Sequence, residues 1–272
     1  MSSEKQRADV ALHAQGLAES REKARALIEA GLAFADGVTI AKPSQSIADD
    51  TVLTARGEVH PYVSRGGLKL AHALDGFSLN SDGLICMDVG ASTGGFTDVL
   101  LRRGASRVYA IDVGHSQLDA RIRENPRVTV MERVNARTLA PDLFPEKPSL
   151  AVIDVSFISV TLIVPAVANV LGEDGRIVAL IKPQFEAGRG KVGKKGIVTD
   201  PKTHAEVIRA VAGFAESIGW RMRAVVDSPI AGSDGNIEFL AELCPARDGG
   251  AAVDEARIAE AIAHAHAAMK PT

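Results

Sequence analysis

Residues 84–96 form the stretch that decides the fold, Leu84-Ile85-Cys86-Met87-Asp88-Val89-Gly90-Ala91-Ser92-Thr93-Gly94-Gly95-Phe96. An apolar run that ends in Asp-x-Gly is typical of a β-strand, and the glycine pair after it predicts the start of a helix. Glycines in such a turn let the backbone approach a bound ligand closely, and the turn presents free N–H groups. The stretch therefore predicts a strand–turn–helix unit with a nucleotide-like ligand at the turn.

The spacing of the glycines narrows the class of ligand. The pattern Gly90-x-x-x-Gly94-Gly95 differs from the Gly-x-Gly-x-x-Gly of dinucleotide-binding enzymes, which argues against a nicotinamide dehydrogenase. A shorter turn suits a nucleoside ligand without a pyrophosphate, and S-adenosylmethionine is the commonest of these. The predicted cofactor-binding residues in this stretch are Asp88, Gly90, Ser92, Thr93, Gly94, Gly95 and Phe96.

Apolar strand-like segments alternate with helical ones over most of the chain. Strands are predicted at residues 84–89, 107–111, 128–131, 150–155, 175–181, 222–227 and 237–243. Helices are predicted at residues 66–74, 94–103, 116–122, 161–171 and 201–218, with an alanine-rich helix at 252–268. This alternation predicts an α/β fold with a Rossmann-like, mostly parallel sheet covered on both faces. The last two strands leave no room for a crossover helix, so one of them is expected to be antiparallel at an edge.

The first part of the chain has a pattern of its own. It predicts a helix that ends at Gly16, a second helix capped by Ser20, and a hairpin with its turn at Asp36-Gly37. Turn-forming residues at 42–62 predict a linker. The expected domains are 1–62, a small α+β module with its linker, and 63–272, the α/β domain with a C-terminal helical tail.

The composition is that of an ordinary globular protein of 272 residues, with 46% apolar and 24% charged residues. The net charge of −3 gives no support for binding nucleic acid through bulk charge, so any RNA contact must come from local patches.

Neither a metal site nor a membrane segment is expected. Cys86 and Cys244 lie in apolar runs without metal-ligand spacing, and we expect them to be buried free thiols. The apolar stretch 149–172 contains Asp154 and Pro165, so it is better described as a strand followed by a helix. The N-terminal residues contain no apolar signal region, and a cytoplasmic protein is expected.

Polar residues end several of the predicted parallel strands, where ligands of open α/β sheets bind. Asp112 ends the second strand and is predicted to bind the two hydroxyls of a ligand ribose, although a simple helix cap is the alternative. Asn135, after the third strand, is a candidate for contact with an adenine ring.

Two oppositely charged residues end the next two strands, Asp154 and Lys182. An ammonium group at the end of a buried strand is costly unless it is paired, so a purely structural ion pair is one interpretation. The other is a reactive site, and Lys69 and Glu238 fit the same cleft.

These four residues carry a resemblance. Lys69, Asp154, Lys182 and Glu238 resemble the Lys-Asp-Lys-Glu tetrad of the FtsJ/RrmJ-like RNA 2′-O-methyltransferases. The segments Val63-Ser64-Arg65-Gly66-Gly67-Leu68-Lys69-Leu70 and Ile181-Lys182-Pro183-Gln184-Phe185-Glu186 closely resemble the TlyA family, and the first forty residues resemble a small RNA-binding module of a ribosomal protein and pseudouridine synthases. The resemblance implies S-adenosylmethionine-dependent methylation of ribose 2′-hydroxyls in ribosomal RNA, at cytidines of one or both subunits.

The chemistry explains the residue types. A ribose hydroxyl is a poor nucleophile while the sulfonium methyl is already activated, so catalysis needs in-line placement and removal of a proton rather than a metal. We expect Lys182 to be the base or the orienting group, with Asp154 holding it in place. Lys69 and Glu238 would position the ribose and balance the charge.

Candidate RNA contacts lie in two regions. A glycine-rich basic segment follows the strand that ends at Lys182. Basic runs are usually solvated loops, but its place beside the tetrad favours phosphate binding. The predicted RNA-binding residues are Arg21, Lys23, Arg25, Arg65, Arg189, Lys191, Lys194 and Lys195.

Two other function classes stay open at this point. One is a non-catalytic RNA-binding factor of ribosome assembly, in which a methyltransferase fold no longer catalyses a reaction. The other is a membrane-active haemolysin, because some members of the TlyA family carry that name. The intact tetrad argues against the first, and the absence of a strongly amphipathic basic helix in the sequence argues against the second.

Overall fold

The computed structural model describes residues 5–29, 31–56, 60–193, 195–232 and 235–268. The chain divides into two compact units, Met1–Pro61 and Tyr62–Thr272. Each unit has its own hydrophobic core.

The small unit contains two helices and two small antiparallel sheets. Its elements are β1 (Lys5–Arg7), α1 (Ala8–Ala14), α2 (Arg21–Glu29), β2 (Ala33–Ala35), β3 (Val38–Thr39), β4 (Ser46–Ala48) and β5 (Leu53–Ala55). Strand β1 pairs with β4, and β2 lies between β3 and β5. Leu12 of α1 and Ile28 of α2 are buried together, and the predicted hairpin at Asp36-Gly37 joins β2 to β3.

The prediction of a linker at 42–62 is wrong for its first part. Strands β4 and β5 fall inside that range, and they pair with β1 and β2 of the small unit. Ile47 and Leu53 are buried in the core of that unit. Strands of three residues are too short to show an alternating pattern, so the range was interpreted as a linker.

The large unit is built on a seven-stranded sheet. Its strands are β6 (Ile85–Val89), β7 (Arg107–Asp112), β8 (Val128–Glu132), β9 (Leu150–Ile153), β10 (Arg176–Ile181), β11 (Trp220–Asp227) and β12 (Phe239–Pro245). They lie in the order β11-β12-β10-β9-β6-β7-β8. Strands β6 to β10 are parallel, whereas β12 is antiparallel to both β10 and β11. The predicted mostly parallel sheet with an antiparallel strand at one edge is confirmed.

Helices cover both faces of this sheet. They are α3 (Gly66–Gly76), α4 (Gly95–Arg102), α5 (Ala120–Arg123), α6 (Val164–Leu171), α7 (Pro183–Glu186), α8 (Pro201–Ser217) and α9 (Glu255–Ala268). Successive strand residues point to opposite faces, so Cys86 packs in the cluster with α3 and α4 while Met87 packs in the cluster with α6 and α8. The two clusters explain why the strands are apolar throughout.

Three further expectations can be compared with the fold. The helix predicted at 116–122 is wrong in its first half, because Ser116 has a φ of 56° and Asp119 caps a shorter helix that begins at Ala120. Both cysteines are buried free thiols, and burial raises the pKa of Cys86 to about 12. Among the described residues, no helix has the length and apolar character that a membrane span needs.

A buried carboxylate organises the charged surface of the small unit. Asp9 is only 1% exposed and accepts hydrogen bonds from Arg7 at 2.9 and 3.0 Å and from Arg21 at 3.3 Å. The hydrogen bonds from Arg7 lower the pKa of Asp9 to about 2, with Arg21 contributing in the same direction. Its ionised form therefore stabilises the folded unit above about pH 4, and this contribution is lost as the pH falls towards 2.

We therefore expect Asp9→Asn to weaken the small unit at pH 7. The loss should be about 1 to 3 kcal/mol, because hydrogen bonds between charged groups are replaced by weaker ones. Urea unfolding followed by the amide signals of α1 and α2 measures it. The exposed Asp50→Asn serves as the control, and an Asp9→Asn protein as stable as this control at pH 7 would contradict the assignment.

Candidate active site

The turn after β6 packs directly onto the end of β9. Gly90 has a φ of 88°, and a Cβ atom placed on it would lie 2.2 Å from the backbone carbonyl oxygen of Asp154. The N–H groups of Gly90 and Ala91 both donate to the carbonyl of Ile111, at 2.8 and 3.0 Å. Only glycine fits this position, and the turn is thereby held against two neighbouring strand ends.

The start of α4 makes a second close approach. A Cβ atom on Gly95 would lie 2.2 Å from Ser64 Oγ and 3.1 Å from the backbone nitrogen of Gly67. The segment that leads into α3 therefore lies against the beginning of α4. Arg65 and Lys69, at the start of α3, are brought to the turn by this contact.

One cleft of about 310 Å³ collects all four predicted catalytic residues and five of the nine predicted cofactor-binding residues. Its walls are the turn after β6, the start of α3, and the residues that follow β9 and β10 and precede β12. It is lined by Ser64, Arg65, Gly66, Lys69, Gly90, Ala91, Ser92, Thr93, Gly95, Phe96, Asp154, Lys182 and Glu238. The four charged residues of the predicted tetrad thus share a single cleft with the glycine turn.

The four charged residues form two ion pairs. Lys182 Nζ lies 2.6 Å from Asp154 Oδ1 and donates to Ser156 Oγ at 2.8 Å. Lys69 Nζ forms an ion pair with Glu238 Oε2. The two lysines are each 8% exposed and Glu238 is 2% exposed, so each buried charge has its counter-charge in contact.

Asp112 connects the turn to the next loop. Its carboxylate accepts from the backbone nitrogen of Ser92 at 2.8 Å and from that of Gly114 at 2.7 Å. An ionised carboxylate has about four acceptor positions, so two remain for ligand hydroxyls. Residues 113–119 are not helical, so the alternative interpretation of Asp112 as a helix cap is wrong.

Four predicted cofactor residues do not line this cleft: Asp88, Gly94, Asp112 and Asn135. Gly94 caps α4, and a Cβ atom on it would lie 2.9 Å from Leu118. Asn135 is exposed, and its side chain caps a short turn by accepting from the backbone nitrogen of Arg137 at 3.1 Å. Its neighbour Val134 donates a backbone hydrogen bond to Asp112, which places Asn135 one strand beyond the turn.

Asp88 lies beneath the turn with 0% exposure. Its Oδ2 accepts from Thr97 Oγ1 at 2.7 Å, while its Oδ1 has no hydrogen-bond partner among the described residues. Burial raises the pKa of Asp88 to about 7, and the charges of Asp154 and Asp112 act in the same direction. The Asp88 carboxyl therefore connects the end of β6 to α4, away from the surface of the cleft.

The predicted basic residues are spread over both units. Arg65 lines the cleft, Lys195 is exposed, and Lys191 is exposed but paired with Glu206. Lys194 and the side chain of Arg189 lie outside the described residues.

In the small unit, the three predicted RNA-binding residues are exposed and each has an acidic partner. Arg21 contacts Asp9, Lys23 pairs with Glu19, and Arg25 lies 3.7 Å from Glu29. Arg7, which the sequence reasoning missed, shares Asp9 with Arg21.

Sequence reasoning also missed two residues next to the tetrad. Ser156 accepts the hydrogen bond from Lys182, and Phe157 is 91% exposed with a φ of 64°. The ring of Phe157 lies 5.3 Å from that of Phe185. Both phenylalanines follow a tetrad residue within three positions, which is the signal that could have identified them.

Comparisons with known proteins agree with this geometry. The model of FtsJ-like methyltransferases matches residues 62–243. A Mycobacterium tuberculosis protein named 16S/23S rRNA (cytidine-2′-O)-methyltransferase TlyA is 45% identical over 235 residues, which cover 86% of this chain and 88% of that protein. Hemolysin A of Brachyspira hyodysenteriae is 42% identical over 238 residues, covering 87% of this chain and 99% of that protein. A solved Streptococcus thermophilus structure, also named as a haemolysin, has a TM-score of 0.77 and 46% identity and covers 98% of both chains.

Gly90→Ala should weaken binding of S-adenosylmethionine at least tenfold. The new methyl group cannot occupy a position 2.2 Å from the Asp154 carbonyl oxygen, so the turn must move away from β9. Isothermal titration calorimetry measures the affinity. Gly213→Ala in α8 is the matched control, because its added Cβ would meet no atom within 4 Å, and equal affinity of both variants would contradict the assignment.

Asp88→Asn should change how stability depends on pH. A carboxyl whose folded pKa is raised to about 7 favours folding below about pH 4, and this stability is lost as the pH rises towards 7. The wild-type protein should therefore lose up to about 4 kcal/mol more than the variant between pH 4 and pH 8. Parallel urea titrations at the two pH values measure the difference, and identical pH dependence would show that Asp88 ionises normally.

Proposed function

This chain belongs to the family of FtsJ-like methyltransferases, and we propose that it methylates ribose 2′-hydroxyls of ribosomal RNA. The observation that carries the proposal is the joint placement of Lys69, Asp154, Lys182 and Glu238 in one cleft with the Gly90 turn. The name of the Mycobacterium tuberculosis relative supports cytidines as targets. The proposed setting is the cytoplasm, with rRNA inside ribosomal subunits as the partner.

The cleft fits S-adenosylmethionine as the methyl donor. Gly90 leaves the turn without a side chain at its closest approach to β9, and Asp112 has free acceptor positions for ribose hydroxyls. Val113, next to it, is 76% exposed and offers an apolar surface for an adenine ring. The bound cofactor supplies a methyl group activated by its positive sulfur, so the protein's residues need only position the acceptor and remove its proton.

Lys182 is the proposed contact for the 2′-oxygen. Its ammonium has three N–H donors, and Asp154 and Ser156 accept two of them. The third is free to hold the hydroxyl oxygen in line for transfer. The proton released from the hydroxyl passes to the Asp154 carboxylate in the same cleft, because the Lys182 ammonium has no lone pair to accept it.

Lys69 and Glu238 are proposed to position the ribose. Their ion pair is buried in the same cleft, and it adds no net charge beside the cofactor's sulfonium. A neutral pair of this kind leaves hydrogen-bond donors and acceptors directed at the sugar while avoiding repulsion of the methyl donor.

Phe157 supports an RNA substrate in particular. The ring of Phe157, beside Ser156, is 91% exposed and presents a face on which a ligand can stack. Stacking of a nucleobase on such a ring contributes about 1 to 3 kcal/mol. We propose that the base attached to the reacting ribose packs on Phe157 and Phe185.

Phosphate contacts are proposed for the basic residues of both units. In residues 63–272, the proposed catalytic domain, Arg65, Lys191 and Lys195 lie at or near the exposed surface, and Arg189 and Lys194 stay sequence predictions. In residues 1–62, the proposed RNA-binding module, the Asp9 carboxylate holds Arg7 and Arg21 in fixed orientations. Fixed guanidinium groups lose less entropy when they bind phosphates.

The function is tested by offering labelled S-adenosylmethionine to separated, unmodified ribosomal subunits. We expect label on a ribose 2′-oxygen of a cytidine, and at least a hundredfold loss of rate in Lys182→Ala, since positioned proton transfer contributes about 10² to 10⁴. Lys202→Ala, an exposed lysine at the start of α8, is the matched control and should keep its rate.

Each negative outcome has a definite meaning. A folded protein that binds S-adenosylmethionine but labels neither subunit would contradict the enzyme and favour the non-catalytic assembly factor. A Lys182→Ala protein with full activity would contradict the proposed role of Lys182 but not the proposed methyltransferase function.

A further inference from the structure

Glu186 connects the segment that follows the reactive lysine to a neighbouring loop. It is the last residue of α7, which begins directly after Lys182. Its Oε2 accepts from Ser159 Oγ at 2.6 Å, and its Oε1 accepts from the backbone nitrogen of Val160 at 2.7 Å. Both carboxylate oxygens are therefore used, in a half-buried position where burial raises the pKa of Glu186.

The loop held by Glu186 is the one that supplies the partners of Lys182. Residues 154–160 lead from β9 towards α6, and Asp154 and Ser156 from this loop contact Lys182 Nζ. Segment 182–186 thus contacts the same loop at two points, near its beginning through Lys182 and near its end through Glu186. The exposed Phe157 lies between these two points.

The conformation of this loop depends largely on side-chain contacts. In the described part of the chain, no backbone–backbone hydrogen bond involves residues 155–158, and β9 ends its pairing at Ile153. Phe157 also has a positive φ of 64°, which a phenylalanine adopts only when its surroundings impose it. Without the contact at Ser159 and Val160, the far end of the loop loses this restraint.

We propose that Glu186 is a positioning residue for methyl transfer, which fixes the 154–160 loop so that Asp154 and Ser156 hold Lys182 and Phe157 faces the substrate. This inference rests on the proposed function. Glu186 acts through the loop, and the cofactor turn at residues 90–95 makes no hydrogen bond with Glu186 among the described residues. The expected defect therefore lies in turnover, with cofactor affinity preserved.

The conservative substitution Glu186→Gln can preserve both contacts of the side chain at position 186. In Glu186→Gln, the amide oxygen can accept from the Val160 nitrogen, and the amide NH₂ can donate to Ser159 Oγ. The Ser159 hydroxyl can then donate to Thr161 Oγ1, which lies 2.6 Å away. Glu186→Ala removes both contacts and leaves the buried Val160 N–H without its acceptor.

The test compares Glu186→Ala, Glu186→Gln and the exposed control Glu216→Ala in α8. We expect kcat of Glu186→Ala to fall at least tenfold with its Kd for S-adenosylmethionine within twofold of wild type. Glu186→Gln should stay within threefold of wild-type kcat, and Glu216→Ala should be unchanged. Amide hydrogen exchange of residues 155–160 should accelerate in Glu186→Ala only.

Four results would overturn the proposal. Unchanged kcat in Glu186→Ala would show that the contact is dispensable, and a parallel loss of cofactor affinity would indicate general damage. A Glu186→Gln protein as slow as Glu186→Ala would show that the charge itself is needed. If wild-type protein methylates nothing, the proposed function fails, whereas unaltered exchange of residues 155–160 in Glu186→Ala would reject the positioning role independently.

Discussion

The contact between Gly90 and the backbone carbonyl of Asp154 is the constraint on which the site depends. A side chain at position 90 would occupy space 2.2 Å from that oxygen, so the turn and the strand end touch through backbone atoms alone. The nitrogen of Asp154 also donates to the carbonyl of Val89, which joins the same two strand ends. The cofactor turn and the end of β9 are therefore fixed to each other at the backbone of Asp154, whereas the loop that follows Asp154 depends on contacts of its own.

Charge compensation is the second requirement of this edge. Two lysines and two acidic residues share a small cleft, and each lysine contacts one carboxylate. Removing one partner would leave a buried charge without its counter-charge in a low-dielectric environment, which typically costs about 3 to 5 kcal/mol. The tetrad is thus an electrostatic unit as well as a chemical one. Burial raises the pKa of Asp88 to about 7, and the nearby charges of Asp154 and Asp112 act in the same direction.

Sequence reasoning located the elements whose patterns extend over five or more residues. Asp154 and Lys182 could be placed in one site because the carboxyl ends of adjacent parallel strands meet at one edge of a sheet. The depth of Asp88 could not be predicted, since periodicity says which face a residue takes but not whether a turn covers it. The strands that contain Ile47 and Leu53 were not predicted, because three residues are too few to show an alternating pattern. Ser156 and Phe157 lay inside a quoted motif, yet their roles depend on a loop conformation that no periodicity describes.

The reversed direction of β12 has a consequence for how this site can vary. In a purely parallel sheet every cleft residue follows its strand, whereas Glu238 precedes the antiparallel β12 at the same edge. The connection from β11 to β12 therefore joins two antiparallel strands and ends at the cleft with Glu238. A substitution in this connection can therefore change the surroundings of Glu238 without altering the parallel strands β9 and β10, after which Asp154 and Lys182 follow directly.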